Sequence, residues 1–443
     1  MFETIVALAT APMRSALAII RLSGEDCFKV VSKFFSKNLI DIKTNGIHHG
    51  FILEKNEVID EVILLTYVNP HSFTGEDSVE IISHGSPLIF NKIIELAISN
   101  GARMAERGEF SSRAYMHGKM DLIQAESIND LINAESEESK KLSMMALKGE
   151  TSKLVLPLKK TLGDILSLIE VNVNYPEYTD IEIATNEKVI TVCDDLISYI
   201  NKLIKDGKKG RIIKDGLKVA IVGKPNVGKS SILNALLGEE KAIVTDIKGT
   251  TRDIVEGKFN LDGVIINLYD TAGIRESNDA IETKGIVKSE KMLNDADICI
   301  AVFDSTTFDN EDKKIQELTK NKKTIVVYNK FDLVENTNKH DGLLYISALN
   351  NNVEPLKDAI RRYIGLSKEN YENPSIANTR EIGLLENIKK SLEKAQLDAK
   401  NGVPVDLINV YIQDAYLKVL ALTGEDHDYD IATEIFSRFC LGK

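Results

Sequence analysis

The sequence predicts a multidomain protein. An α+β domain covers 1–118, a helical domain falls in two parts over 119–215 and 373–443, and a doubly wound α/β domain over 216–372 is inserted between those parts. Three changes of texture predict this. Residues 1 to about 118 alternate β-like runs with short helical stretches, 120 to 212 adopt a helical period, and 217 to about 370 return to short apolar runs spaced by helices. The helical period resumes after Ser375, which reads as the second half of one helical domain; two separate helical domains are the alternative.

In chain order, Ile5–Leu8, Leu17–Ile20, Glu61–Tyr67 and Ser78–Ile82 read as strands, and Leu88–Ile98 as a helix. Leu122, Ala125, Ile128 and Leu131 share a helical face, as do Leu154, Leu158, Leu162, Ile165 and Ile169, with Pro157 in the first turn where proline costs little. Lys218–Val222, Ile265–Tyr269, Ile298–Phe303 and Thr324–Tyr328 are the short apolar runs of a doubly wound sheet, whose ligand loops lie at the strand C-termini. Leu384, Ile388, Leu392 and Ala395 then share one helical face, and Ile408, Ile412, Ala415, Val419 and Leu422 another.

Composition narrows the class. A hydrophobic content of 43% with 28% charged residues is that of a soluble globular protein, and 443 residues suffice for about three domains. Cys27, Cys193, Cys299 and Cys440 are scattered without metal-ligand spacing, so a reducing cytosol is expected rather than a disulfide framework. The apolar stretch Thr4–Met13 carries no basic start and reads as a strand, and no segment has the apolar length of a membrane span. A net charge of −12 excludes a general nucleic-acid coat; RNA contact requires a local basic patch or a partner that supplies the charge.

Chemistry enters at residues 223–230, Gly-Lys-Pro-Asn-Val-Gly-Lys-Ser, directly after the apolar run Leu217–Val222 and before a helical pattern. This is a phosphate-cradling loop. Asn226, Val227, Gly228, Lys229, Ser230 and Ser231 are expected to bind a nucleoside triphosphate, Lys229 reaching the β- and γ-phosphates and Ser230 holding Mg2+. Asp270, Thr271, Ala272 and Gly273 follow the Ile265–Tyr269 strand, where a Mg2+-bound water and the γ-phosphate are reached. Asn329, Lys330, Phe331 and Asp332 follow Thr324–Tyr328. The Asp332 carboxylate suits the N1–H and amine of guanine, and the backbone of Ser347 and Ala348 suits its carbonyl, so the nucleotide is GTP. Thr251, within Gly249-Thr-Thr-Arg-Asp253, is the second expected Mg2+ hydroxyl in a switch segment. Ile274 stands where Ras-type enzymes place a water-orienting glutamine, so another group must orient the water. Glu282 is either that group or a solvated helix charge. Asn226 is either loop filler or a ligand for a monovalent cation.

With these residues in view, the chain resembles the MnmE (TrmE) family of bacterial tRNA-uridine-modification GTPases over essentially its whole length. The resemblance rests on Glu3–Thr10, Ala18–Gly24, Pro70-His-Ser-Phe-Thr-Gly-Glu-Asp77, Val79–Gly85, Ala102–Phe110, Gly118–Glu126 and the terminal Ile435-Phe-Ser-Arg-Phe-Cys-Leu-Gly-Lys443. It implies an N-terminal dimerisation domain that binds a tetrahydrofolate derivative (5,10-methylene- or 5-formyl-) through Arg21, Glu80, Lys119 and Lys443. It also implies a required Cys440 near the folate. Arg21, Glu80 and Lys119 have a bland reading beside this one, as surface ion pairs, and so does Cys440, as a small buried hydrophobe. For hydrolysis the resemblance implies G domains meeting across two protomers. K+ is then held by Asn226 and by backbone oxygens at Thr245, Ile247 and Thr250, in a nucleotide-binding segment that also includes Asp246, Lys248 and Gly249, and Glu282 orients the water. The implied partners are a second copy, tRNA and an FAD-dependent MnmG (GidA)-type protein in a heterotetramer, with FAD present only through that protein. Where the family often has glycines this chain has Met13, Arg14 and Ser15, which alters the local loop.

The function expected is therefore a cytoplasmic, K+-stimulated GTP hydrolase that helps to add a (carboxymethyl)aminomethyl group at C5 of the wobble uridine (U34) of certain tRNAs. The alternative is a ribosome-assembly GTPase acting as a switch without modification activity. Such proteins carry an RNA-binding appendage or a second G domain, and neither is seen here.

Overall fold

The computed structural model describes residues 3–175, 183–239, 257–270, 293–334, 342–426, 432, 435–437, 439 and 442. Two compact units emerge. The first comprises Met1–Asn129, Leu147–Val189 and Asp398–Lys443, and the second Asp130–Ala146 and Ile190–Leu397.

The first unit is built on a six-stranded sheet of β1 (Ile5–Leu8), β2 (Leu17–Ser23), β3 (Gly46–Glu54), β4 (Glu57–Tyr67), β5 (Ser78–His84) and β6 (Arg103–Met104), in the order β3-β4-β5-β2-β1-β6. All neighbours are antiparallel except β1 and β6. The period-2 alternation sorts side chains between faces. Val6, Leu8, Ile20, Leu22, Val79 and Ile81 pack under helices Cys27–Ser32 and Pro87–Ser99, while Ile5 and Ala7 turn the other way onto Ala105 and Phe110. Periodicity alone does not reveal β3, which is closed onto β4 by Lys55 and Asn56, both at positive φ. Helix Leu156–Asn174 packs along Val405–Thr423. Ile408, Ile412, Ala415, Val419 and Leu422 are all fully buried, as their spacing predicts.

The second unit carries a sheet of β7 (Leu217–Val222), β8 (Gly257–Leu261), β9 (Val264–Asp270), β10 (Ile298–Asp304), β11 (Thr324–Asn329) and β12 (Leu344–Tyr345), ordered β12-β11-β10-β7-β9-β8. It is parallel apart from the β8–β9 hairpin, whose Asp262-Gly263 turn has both residues at positive φ. Helices Lys229–Glu239 and Glu354–Ile364 cover one face and Asn310–Thr319 the other. Burial on both faces is why the β10 run is apolar throughout. Helices Asn186–Asp215 and Thr379–Lys400 run antiparallel, with Lys208 paired to Glu386 and Asp194 to Gln396. In the latter helix Leu385, rather than the expected Leu384, is the fully buried partner of Ile388, Leu392 and Ala395. Adjacent leucines make the phase ambiguous, and packing decides it. Among the described residues, no helix is long and apolar enough to cross a membrane.

Candidate functional site

The phosphate loop lies where the pattern places it, between β7 and helix Lys229–Glu239. Asn226 and Gly228 both have positive φ, 64° and 94°. A Cβ at Gly228 would come within 2.2 Å of Asn329 Nδ2, so only glycine fits that turn. Val227 is buried beneath the loop, and Ser230 and Ser231 are exposed at the start of the helix, where anions are favoured. Lys229 is buried, its Nζ donating to Gly223 O at 2.9 Å and Lys224 O at 3.0 Å, which draws the ammonium back over the loop.

The base-recognition residues assemble around Asn329, which is 3% exposed. Its Nδ2 donates to Val227 O at 2.8 Å, and its Oδ1 accepts from Ala348 N at 3.1 Å. One carboxamide thus joins its own Asn329–Asp332 segment to the phosphate loop, 102 residues before it, and to the Ser347–Ala348 loop, 19 residues after it. Lys330, at φ 62°, donates to Asp304 Oδ2 at 2.7 Å. Burial opposes ionisation of Asp304, but Lys330 and two hydrogen bonds from Thr306 outweigh it and hold the carboxyl below its usual range. Phe331 N donates to Ile346 O, and its ring packs 4.7 Å from that of Tyr345. Ser347 Oγ donates to Asp332 Oδ1, which fixes an exposed carboxylate at the mouth of the site. Asp270 ends β9, with its backbone in register with Ile221 of β7, one strand from the phosphate loop. Thr245, Asp246, Ile247, Lys248, Gly249, Thr250, Thr251, Thr271, Ala272, Gly273 and Glu282 lie outside the described residues.

A second cluster occupies the N-terminal sheet. Arg21 and Glu80 are direct cross-strand partners on β2 and β5, with Arg21 Nε 2.8 Å from Glu80 Oε1. The Arg21 guanidinium sits 5.8 Å from the Phe73 ring centre and 5.6 Å from that of the buried Phe110. Burial and then the Glu80 carboxylate, with which it hydrogen-bonds, push the Tyr67 hydroxyl pKa up. Lys119 donates to Pro70 O at 2.9 Å, so the Pro70–Asp77 segment touches Lys119 at one point and Arg21, through Phe73, at another. Gly442 O accepts from Arg21 at 3.3 Å, and a Cβ on Gly442 (φ 89°) would lie 2.3 Å from Leu8 O. The glycine of the terminal motif is therefore the residue that lets the chain approach β1. Cys440 and Lys443 lie outside the described residues.

Under this cluster runs a buried network that the sequence did not suggest, since arginine is rarely fully buried. Arg113, 1% exposed, pairs with Glu76 at 3.0 Å and Glu109 at 2.7 Å, and Ser23 donates to Glu76. Burial opposes Glu109 ionisation, but hydrogen bonds from Arg103, the Glu106 N–H and Arg113 prevail and bring its pKa down to about 2. Gly85 receives the Met13–Ser15 loop closely: Ser15 N donates to Gly85 O at 3.1 Å, and a Cβ on Gly85 would lie 2.3 Å from Ser15 Oγ.

A glycine-turned phosphate loop between a parallel strand and a helix, braced to an Asn-Lys-x-Asp segment, defines a P-loop GTPase domain, and the chain is a GTP-hydrolysing enzyme. Comparison with known proteins places it more closely. Residues 4–119 match the family described as GTP-binding protein TrmE N-terminus, and 122–440 match the MnmE helical domain. The tRNA modification GTPase MnmE of Ligilactobacillus salivarius is 40% identical and covers 100% of this chain and 98% of its own. That of Thermotoga petrophila is 42% identical, with 100% of both chains covered. Among solved structures, Aquifex aeolicus Era bound to GDP and AlF4- is 29% identical, over 39% of this chain and 66% of that one, with a TM-score of 0.27. This chain belongs to the MnmE (TrmE) family of tRNA modification GTPases.

Proposed function

We propose that this chain, as a homodimer, works with an FAD-dependent MnmG-type partner to add a (carboxymethyl)aminomethyl group at C5 of the wobble uridine of certain tRNAs. A tetrahydrofolate derivative supplies the one-carbon unit when bound. The observation that carries this reading is the Arg21–Glu80 pair, flanked by Phe73 and Phe110 and met by the carbonyl of Gly442, in a chain that also holds a braced guanine-nucleotide site. A carboxylate accepts from the N–H edge of a pterin, aromatic rings offer stacking surface, and Arg21, Lys119 and Lys443 suit the anionic glutamyl tail. Glu80 already accepts from Arg21, which orients its carboxylate before a ligand arrives. Cys440 is assigned to the modification chemistry, next in sequence to Phe439 of the buried Phe436–Phe439 ring pair. The domain limits proposed are 1–118, 119–215, 216–372 and 373–443.

In the nucleotide site, Lys229 carries the charge for the β- and γ-phosphates and Ser230 with Thr251 holds Mg2+. Asn226, in its left-handed turn, supplies a side-chain oxygen to K+ together with backbone oxygens at Thr245, Ile247 and Thr250. Glu282 orients the attacking water, because Ile274 cannot. The net charge of −12 favours an RNA surface shared with the partner over a solo one, and the scattered cysteine spacing favours a reducing cytoplasm.

Two measurements test the reading. GTP turnover is faster in K+ than in Na+ at equal ionic strength; equal rates overturn the cation assignment. Titration with 5-formyltetrahydrofolate gives saturable binding that Glu80→Gln weakens; binding indifferent to Glu80 overturns the folate site.

A further inference from the structure

Lys224 occupies a position that the phosphate-loop pattern leaves free. Its side chain reaches helix Asn310–Thr319, with Nζ 2.8 Å from both Asp309 Oδ2 and Asp312 Oδ2. Asp309 is the N-cap of that helix and accepts from the N–H groups of Glu311 and Asp312; Asp312 accepts in return from Asp309 N at 2.9 Å. Asp312 is fully buried, and its Oδ1 has no hydrogen-bond partner among the described residues. The Lys224 ammonium is thus the charge that compensates a carboxylate taken out of water. Hydrogen bonds to Asp309 and Asp312 in turn hold the Lys224 pKa above its ordinary value.

The backbone of the same residue has another task. Lys224 O accepts from Lys229 Nζ at 3.0 Å, beside Gly223 O at 2.9 Å. Lys224 therefore links a helix cap, through its side chain, to the phosphate-binding ammonium, through its carbonyl. The end of β10 and the segment after it, which bears Asp309, also anchor the base loop, since Asp304 accepts from Lys330 and Ser305 donates to Asn329 O. Both arms of the nucleotide site are tied to one short stretch, residues 304–312.

We propose that Lys224, held by Asp309 and Asp312, is a positioning residue for GTP binding. It fixes the entry of the phosphate loop so that Lys229 is presented before the nucleotide arrives. Pre-organisation of this kind acts on affinity more than on the chemical step.

The test uses the full chain and a fluorescent GTP analogue. Lys224→Met raises the Kd on the order of tenfold, the scale of one charge-assisted hydrogen bond. It raises KM more than it lowers kcat. It also lowers Tm, because Asp312 is left buried without its counter-charge. Adding Asp312→Asn to Lys224→Met recovers Tm but leaves affinity weak, since the tether is still missing. Lys224→Arg, which keeps the charge and the donors, stays within about threefold of wild-type affinity. Affinity that recovers together with Tm in the double variant makes the pair merely structural and overturns the proposal. So does wild-type affinity in Lys224→Met, or an equal loss in Lys224→Arg.

Discussion

Replacing Asn329 by alanine tests whether the nucleotide site is assembled before GTP binds. Asn329 is 3% exposed, and its carboxamide hydrogen-bonds both Val227 O, at 2.8 Å, and Ala348 N, at 3.1 Å. Its removal deprives two buried backbone groups of these partners, and each such loss costs about 1–3 kcal/mol, for a total of roughly 2–6 kcal/mol. In a unit of this size that lowers Tm of the nucleotide-free protein by about 5–20 °C. GTP must then order the phosphate loop and base loops itself, so Kd rises by roughly ten- to a hundredfold. Thermal melts without nucleotide, with fluorescent-nucleotide titration of the same preparation, read both numbers. A variant within about 1 °C and threefold of wild type would refute the brace.

Other residues carry separate expectations. Glu109, with its pKa brought down to about 2 from 4.5 by Arg103, the Glu106 N–H and Arg113 despite burial, contributes stability that is present above pH 4.5 and lost as pH falls towards 2. Glu109→Gln is therefore destabilised at pH 7, by roughly 3 kcal/mol at most, and its gap to wild type closes through that acid window in urea melts; a gap independent of pH contradicts this. Glu282→Ala keeps GTP binding and loses most turnover, and near-normal hydrolysis returns Glu282 to a solvated charge. Cys440→Ser keeps GTPase activity and stops tRNA modification; intact modification makes the cysteine structural.

Much of this was legible in the chain because the informative groups are local. The strand Ile5–Leu8 has the limits its apolar run predicts, and Ile408 through Leu422 bury the face their spacing defines. The phosphate loop is legible for the same reason, since Gly228 and Lys229 act through a turn only a few residues long. The strand β8 is half-buried and polar at Lys258 and Asn260, so apolar runs miss it; the Asp262-Gly263 turn was its available signal. What escaped depends on distant partners. No pattern marks Arg113 as buried, because its burial needs Glu76, 37 residues away, and none ties Lys224 to Asp312, 88 residues further along the chain. Asn329 was expected to touch the nucleotide, yet its two bonds to protein backbone are a tertiary fact.

The central claim is that GTP hydrolysis by this chain serves wobble-uridine modification. Mass spectrometry of the wobble nucleoside in tRNA from a strain lacking the chain tests it most directly. Loss of the (carboxymethyl)aminomethyl group is expected, restored by the wild-type chain and not by Glu282→Ala. Normal modification accompanied by defective ribosomal subunits would contradict it and favour a ribosome-assembly switch.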